Sequence, residues 1–272
     1  MNQLETIGID FGGTNTRVAH FEGDRILKLI EFATPRRPEE FIEEFTNKIQ
    51  AIKLDRVTAA AVGACGFWDK DCILRQSINL PDYINYPVWQ KVSEIIQRPV
   101  LVKSDVELAV MGEAIYGLAN QFNPVLYINM GTGFSGALFK DDQIFSTDFS
   151  PTLRLEYLVQ PEYVKDDHAD EDEADFDEES KTKKSIALLS TTLINLSFIL
   201  SPQIISIGGG KITDERWSNI IKPAIDRALV YLDENLTYKI QIRRSQTRYP
   251  AIYGAHELIK RNLNKFSPAL SH

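Results

Sequence analysis

Asp10, Gly12, Gly13, Thr14, Asn15 and Arg17 lie within eight residues, at the end of the apolar run Ile7-Gly8-Ile9. The two glycines let the chain bend with no Cβ in the way. Their N–H groups can approach a polyphosphate closely, and Asn15 and the Thr14 hydroxyl join them on the same phosphate-binding turn. A carboxylate at a buried strand end beside such a turn suits Mg²⁺ held between protein and phosphate, through water or the phosphate itself. Arg17 carries a permanent positive charge into the next strand. Taken alone, Gly12-Gly13 reads as the turn of a plain β-hairpin. Two further glycine turns, Gly131-Thr132-Gly133 and Gly208-Gly209-Gly210, change that reading. The first two would hold phosphates from opposite sides. The third is either a close backbone approach to an adenosine or a simple strand-to-helix turn.

Asp105 is the candidate general base. It stands between the strand Val100–Lys103 and the helix that follows, at the sheet edge where the glycine turns also end. Phosphoryl transfer to an alcohol needs a carboxylate within hydrogen-bond reach of the acceptor hydroxyl. Asp also caps helices, and the two roles are compatible.

These residues need a particular frame. Periodicity predicts strands over 6–11, 16–21 and 25–32, with Glu22-Gly23-Asp24 as a hairpin turn. A helix starting at Pro38 carries Phe41, Ile42, Phe45, Ile49 and Ile52 inward. A small-residue strand over 57–64 is followed by a long loop over 65–87, a helix with Val88, Val92, Ile95 and Ile96 inward, a short strand over 100–103 and a helix ending near Gly117. The opening pattern then recurs, with a strand over 125–130, a Gly/Thr turn and a strand over 134–139. A helix over 185–200, a strand over 203–207, a helix over about 214–232, a strand near 240–243 and a helix over about 254–263 complete an α/β alternation with ligands at strand ends. The expected division is an N-terminal lobe over 1–118, joined by the C-terminal helix 254–266, and a C-terminal lobe over 119–253.

The chain has 272 residues and a formal net charge of −8. Ten of its 38 acids fall between Asp166 and Glu179, which leaves 28 against 30 Lys and Arg elsewhere. The acidity therefore belongs to one segment, 165–184, read as a solvated mobile loop, with a divalent-ion or basic-partner site as the alternative. No basic cluster suggests nucleic acid. Cys65 and Cys72 are the only cysteines and form no disulfide framework. The most apolar window, 186–200, is too short for a bilayer, and the N-terminus does not read as a signal peptide. A soluble cytoplasmic protein is expected.

Residues Asp10 to Arg17, Ser104 to Glu113, Tyr127 to Gly136 and Ser206 to Gly210, in that order, resemble the ROK (repressor, open reading frame, kinase) family of sugar kinases. The similarity runs from residue 5 to about 143 and from 186 to 260. It implies an α/β chain with the duplicated actin-like ATPase (ribonuclease H-like) fold, two lobes around a nucleotide cleft. It also implies ATP- and Mg²⁺-dependent phosphorylation of a hexose-like sugar, glucokinase-like, and leaves a homodimer open. Asp105 would match the family's base, Asn79 its sugar-contacting Asn-Leu segment, and Gly66 the glycine of its Pro-Gly loop, with Cys65 in place of the proline. Ser104 stands where the family has a sugar-contacting Asn.

The chain departs from the family between the second glycine turn and the next helix. No cysteine follows Cys72 and His168 is the only histidine there, so the family's zinc loop is missing and no structural zinc is expected. On the resemblance, Glu156 would stand in for the family's sugar-binding Glu. The second functional reading is a sugar- or nucleotide-binding sensor with the kinase fold. The family's repressors carry a DNA-binding domain before the first glycine turn, and a turn beginning at residue 12 is expected to leave no room for one.

Overall fold

The computed structural model describes residues 3–131, 133–145, 152–155 and 178–266. Strands β1 (Glu5–Phe11), β2 (Asn15–Glu22) and β3 (Arg25–Ala33) form an antiparallel meander, followed by helix α1 (Pro38–Ile49) and strand β4 (Val57–Ala64). The loop expected over 65–87 holds a small two-stranded sheet, β5 (Phe67–Trp68) with β6 (Leu74–Gln76), and a 3₁₀ turn at Pro81–Tyr83. These elements were too short to show a period. Helix α2 (Val88–Ile96), strand β7 (Val100–Ser104) and helix α3 (Asp105–Tyr116) follow. The first main sheet runs β3-β2-β1-β4-β7, with β4 and β7 parallel to β1.

The next strands are β8 (Val125–Met130), β9 (Phe134–Lys140) and β10 (Gln143–Phe145). Helix α4 (Glu178–Leu200) leads to β11 (Ile204–Gly208). Short α5 (Asp214–Arg216), a π-helical turn (Trp217–Ile221) and α6 (Lys222–Asn235) make one helical stretch, and β12 (Gln241–Arg244) closes the second sheet, ordered β10-β9-β8-β11-β12. Helices α7 (Pro250–Arg261) and α8 (Leu263–Phe266) end the described chain. In chain order within each half, both sheets read 3-2-1-4-5, an antiparallel meander extended by two parallel strands. The described residues up to Asn120 and from Thr247 onward form one compact unit, and those from Gln121 to Gln246 the other.

Three boundaries correct the sequence reading. The acidic loop expected over 165–184 gives way to helix from Glu178, where Glu178 and Glu179 sit favourably in the first turn of α4; residues 165–177 lie outside the described residues. α4 is consequently longer than the apolar window 186–200. Its length and composition would allow it to cross a membrane, yet Leu189, Leu193 and Leu196 are packed into the core of the second unit. The last helix begins at Pro250, an N1 proline, and the chain breaks between α7 and α8 at Asn262.

Alternation decides what each face of β1 meets. Ile7, Ile9 and Phe11 point to one side, where Phe41, Phe45, Tyr83 and Trp89 close over them. Phe11 lies 5.0 Å from both Phe41 and Trp89, in edge-to-face geometry. Gly8 and Asp10 share the opposite face, the one covered by α3 and α7. A Cβ on Gly8 would come 2.8 Å from the Ile252 carbonyl of α7. His256 of α7 is fully buried there, stacked on Phe21 at 4.4 Å and hydrogen-bonded to Thr6 Oγ1 at 2.7 Å.

α3 and α7 meet backbone to backbone. A Cβ on Gly254 would collide with the Leu108 carbonyl, and one on Gly112 with the Pro250 carbonyl. Gly254→Ala is therefore expected to destabilise the protein by about 3 kcal/mol, since neither partner is a side chain that can rotate away. Urea denaturation measures this. A loss below about 1 kcal/mol would mean that the helices separate more easily than their packing implies.

Candidate functional site

Asp10 is the penultimate residue of β1 and pairs with Gly63 on β4, which pairs with Lys103 on β7. The missing side chain at Gly63 lets the start of α3 lie against the sheet. A Cβ there would sit 3.2 Å from Asp105 Cα and 3.4 Å from Leu108 Cδ1. This close approach brings Asp105, the first residue of α3, within electrostatic range of Asp10. Gly63 is a site-building residue that pattern reading missed, because a glycine in a small-residue strand carries no local signal.

Burial pushes the Asp10 carboxyl up to about 6, and the Asp105 charge pushes the same way against the pull of Arg17. Burial also raises Asp105, offset by hydrogen bonds from the Val106 N–H at 3.0 Å and the Ser104 hydroxyl at 3.2 Å. Ser104 is the N-cap of α3. Its Oγ accepts from Val106 N–H, and its own N–H is held by Glu107 in a capping box. The Cys65 thiol is held in its protonated form by burial and by the charges of Asp105 and Asp10, which places it beside the pair.

The first glycine turn joins β1 to β2. Gly12 N–H donates to the Asn15 carbonyl at 3.1 Å, and Thr14 and Asn15 are exposed. Thr34, just beyond β3, braces the turn with its hydroxyl on the Gly12 carbonyl at 2.7 Å and its N–H on the Thr14 carbonyl at 2.9 Å. Asn79 packs directly over Gly13, where a Cβ would come 2.6 Å from the Asn79 Cβ. The first unit thus gathers Asp10, Gly12, Gly13, Asn79, Ser104 and Asp105 at one edge of its sheet. Gly66, at φ +98°, is hemmed in by Leu74, Gln76 and Ser77, which is reason enough for a glycine there.

The other two glycine turns belong to the second unit and lie together, because β8 and β11 are adjacent parallel strands with Asn129 opposite Gly208. Gly131 N–H donates to the Gly133 carbonyl at 3.0 Å, and Lys211 N–H to the Met130 carbonyl at 3.0 Å. Gly209, at φ +117°, would place a Cβ 2.5 Å from the Met130 carbonyl oxygen and 2.6 Å from Asn129 Oδ1. Among the described residues no atom lies within 4 Å of a Cβ built on Gly133 or Gly210. Thr132 and Glu156 lie outside the described residues.

Asp10 is the residue that would hold Mg²⁺. Among the described residues no three His, Cys, Asp or Glu side chains form a metal-holding group. A single carboxylate, with its neighbour Asp105 repelling it, fits an ion that takes most of its ligands from water and phosphate.

The ROK family matches this chain over residues 6–148. The glucokinase of Streptomyces coelicolor is 28% identical over 139 residues, 49% of this chain and 43% of that protein. The N-acetylmannosamine kinase of Vibrio cholerae is 28% identical over 152 residues, 52% of this chain and 50% of that protein. The chain spans about half the length of these curated relatives. A ROK family glucokinase from Streptomyces griseus, solved with glucose and AMPPNP, superposes with a TM-score of 0.72 over 94% of this chain and 99% of its own, at 18% identity. The fold is therefore the duplicated actin-like ATPase fold, and the two sheets of identical strand order are its two halves.

A carboxyl raised in the folded state stabilises the fold while protonated, and that contribution is lost as pH rises through its folded value. Relative to wild type, Asp10→Asn is expected to gain roughly 2–3 kcal/mol of stability between about pH 4 and about pH 8. Urea denaturation in metal-free buffer at both pH values tests this, and a difference that ignores pH would show Asp10 titrating as it does in the unfolded chain.

Proposed function

This chain belongs to the ROK family, and from that membership we propose that it transfers the γ-phosphoryl group of ATP to a hydroxyl of a hexose-like sugar. One observation carries the reading: two desolvated carboxylates, Asp10 and Asp105, at a sheet edge shared with a glycine turn and Asn79. Asp105 orients the acceptor hydroxyl and takes its proton as the oxygen–phosphorus bond forms and the bond from phosphorus to the β-phosphate oxygen breaks. Its raised proton affinity strengthens it as an acceptor. In this reading the backbone of Gly12, Gly13, Thr14 and Asn15 is assigned to phosphate oxygens, and so is the turn Gly131-Thr132-Gly133. Gly208, Gly209 and Gly210 receive the adenosine. Mg²⁺ at Asp10, when bound, neutralises charge on the phosphates.

Asn79, Gly66, Ser104 and Glu156 form the sugar side in this reading. Glucose is the default acceptor, on the strength of the relatives. The S. griseus structure with AMPPNP supports ATP as donor. Cytoplasmic residence fits two free thiols. The competing reading is a sugar- or nucleotide-binding sensor of the same fold. It is favoured by Ser104, whose hydroxyl is engaged in capping α3 and orienting Asp105.

A coupled ADP-release assay over a panel of hexoses and N-acetylhexosamines separates the two. Sugar-dependent ADP formation is expected in the wild type. In Asp105→Asn it is expected to fall by about 10²-fold or more while nucleotide binding is retained. Nucleotide binding without any sugar-dependent turnover would establish the sensor, and full activity of Asp105→Asn would remove that residue from the chemistry.

A further inference from the structure

Strand register lays Asp10, Arg17 and Glu31 in one row across β1, β2 and β3, Asp10 opposite Arg17 and Arg17 opposite Glu31. Arg17 bridges the other two. Its Nη1 donates to Asp10 Oδ2 at 3.2 Å and its Nη2 to Glu31 Oε1 at 2.7 Å. The guanidinium carbon stands 5.8 Å from the ring centroid of Tyr249, which also takes Arg248 at 5.1 Å. Arg17 Nε is buried with no hydrogen-bond partner among the described residues.

A permanent cation beside a phosphate-binding turn invites the reading that it binds phosphate. The row argues otherwise. Each terminal nitrogen of Arg17 already has a carboxylate partner, and the shorter bond is to Glu31, the more exposed of the two at 45% against 22% for Asp10. One bond to each of two carboxylates constrains the guanidinium plane as well as its charge. Nε makes no hydrogen bond among the described residues, so the guanidinium is oriented by its two carboxylate partners and the Tyr249 ring alone.

We propose that Arg17 acts through Asp10 and not on phosphate directly, and that Glu31 and Tyr249 are positioning residues for it. Glu31 draws the guanidinium across β2, Tyr249 backs it, and Arg17 thereby holds Asp10 Oδ2 and fixes the carboxylate that would meet the ion. The inference rests on the reading of Asp10 as the Mg²⁺ residue of an ATP-binding site. Residues one step behind a metal ligand typically change metal affinity by about 10–100-fold when altered.

The test is calorimetric titration of AMPPNP into the whole chain with and without Mg²⁺, for wild type, Glu31→Gln, Glu31→Asp and Arg17→Gln. Glu31→Gln, at an exposed position, is expected to fold, to keep its metal-free nucleotide affinity within about twofold, and to lose about tenfold of the affinity that Mg²⁺ adds. Glu31→Asp should recover part of that loss. In turnover, kcat should fall while KM for the sugar holds. The inference is overturned if Glu31→Gln keeps the full Mg²⁺ increment, if the wild type shows no such increment, or if Arg17→Gln loses metal-free nucleotide affinity as a phosphate ligand would. A wild type that binds no nucleotide at all overturns the proposed function together with this inference. A wild type that responds to Mg²⁺ beside an unaffected Glu31→Gln overturns this inference alone.

Discussion

Two like charges kept in one poorly hydrated corner set the terms for the rest of the first unit. Asp10 and Asp105 each lose hydration, and the Asp105 charge raises the proton affinity of Asp10. The Arg17 pairing and the hydrogen bonds to Asp105 offset only part of that penalty, so the surrounding structure has to impose the rest. It does so from three directions. The aromatic cluster around Phe11 anchors the end of β1 on one face. Gly63 admits the start of α3 on the other. The backbone contact of α3 with α7 through Gly112 and Gly254 then keeps α3 from relaxing away. Each is a close-packing device with little freedom to yield, which a site that works against its own electrostatics requires.

The duplicated topology makes the asymmetry of the two halves informative. Both sheets present a glycine turn at the end of their first strand, yet the residue before the last on that strand is Asp10 in one half and Asn129 in the other. The amide of Asn129 lies against Gly131 and Gly209, where it lines a neutral meeting of two glycine turns. A second carboxylate there would add a negative charge to backbone that, on the proposed reading, has to receive phosphate. On the proposed reading one half would carry the charged chemistry and the other a phosphate-facing backbone, with no described atom within 4 Å of the side-chain faces of Gly133 and Gly210.

Much of this was legible because the signals are local. The strand–turn–strand pattern, the N1 proline of α1 and the carboxylate opening α3 each depend on neighbours within a few residues, and all appear where the periodicity placed them. The nearness of the strand end before Gly131 to Gly208 and Gly209 follows from parallel pairing of β8 with β11. What escaped depends on register or on contacts distant in sequence. Thr34 braces a turn two strands away, Glu31 meets Arg17 only through the β2–β3 register, and Tyr249 arrives from the far end of the chain. The start of α4 was misplaced for a different reason. Charge density reads as loop, whereas acids at a helix N-terminus are stabilised by the exposed N–H groups there.

Ser104 shows how the two levels of reading meet. As a residue type it substitutes a short hydroxyl for a longer amide at a position that the family resemblance assigns to sugar. As a structural element it is the N-cap of α3, with its hydroxyl shared between Val106 N–H and Asp105. A side chain buried to 8% exposure and holding two local partners has little left to extend toward a ligand. On the proposed function, Ser104 therefore serves the sugar side chiefly by orienting Asp105, and direct contact with the acceptor falls more to Asp105 and to Asn79, which lies close against Gly13. The same contact would couple where the sugar sits to where the phosphate sits, and that coupling is what in-line transfer demands.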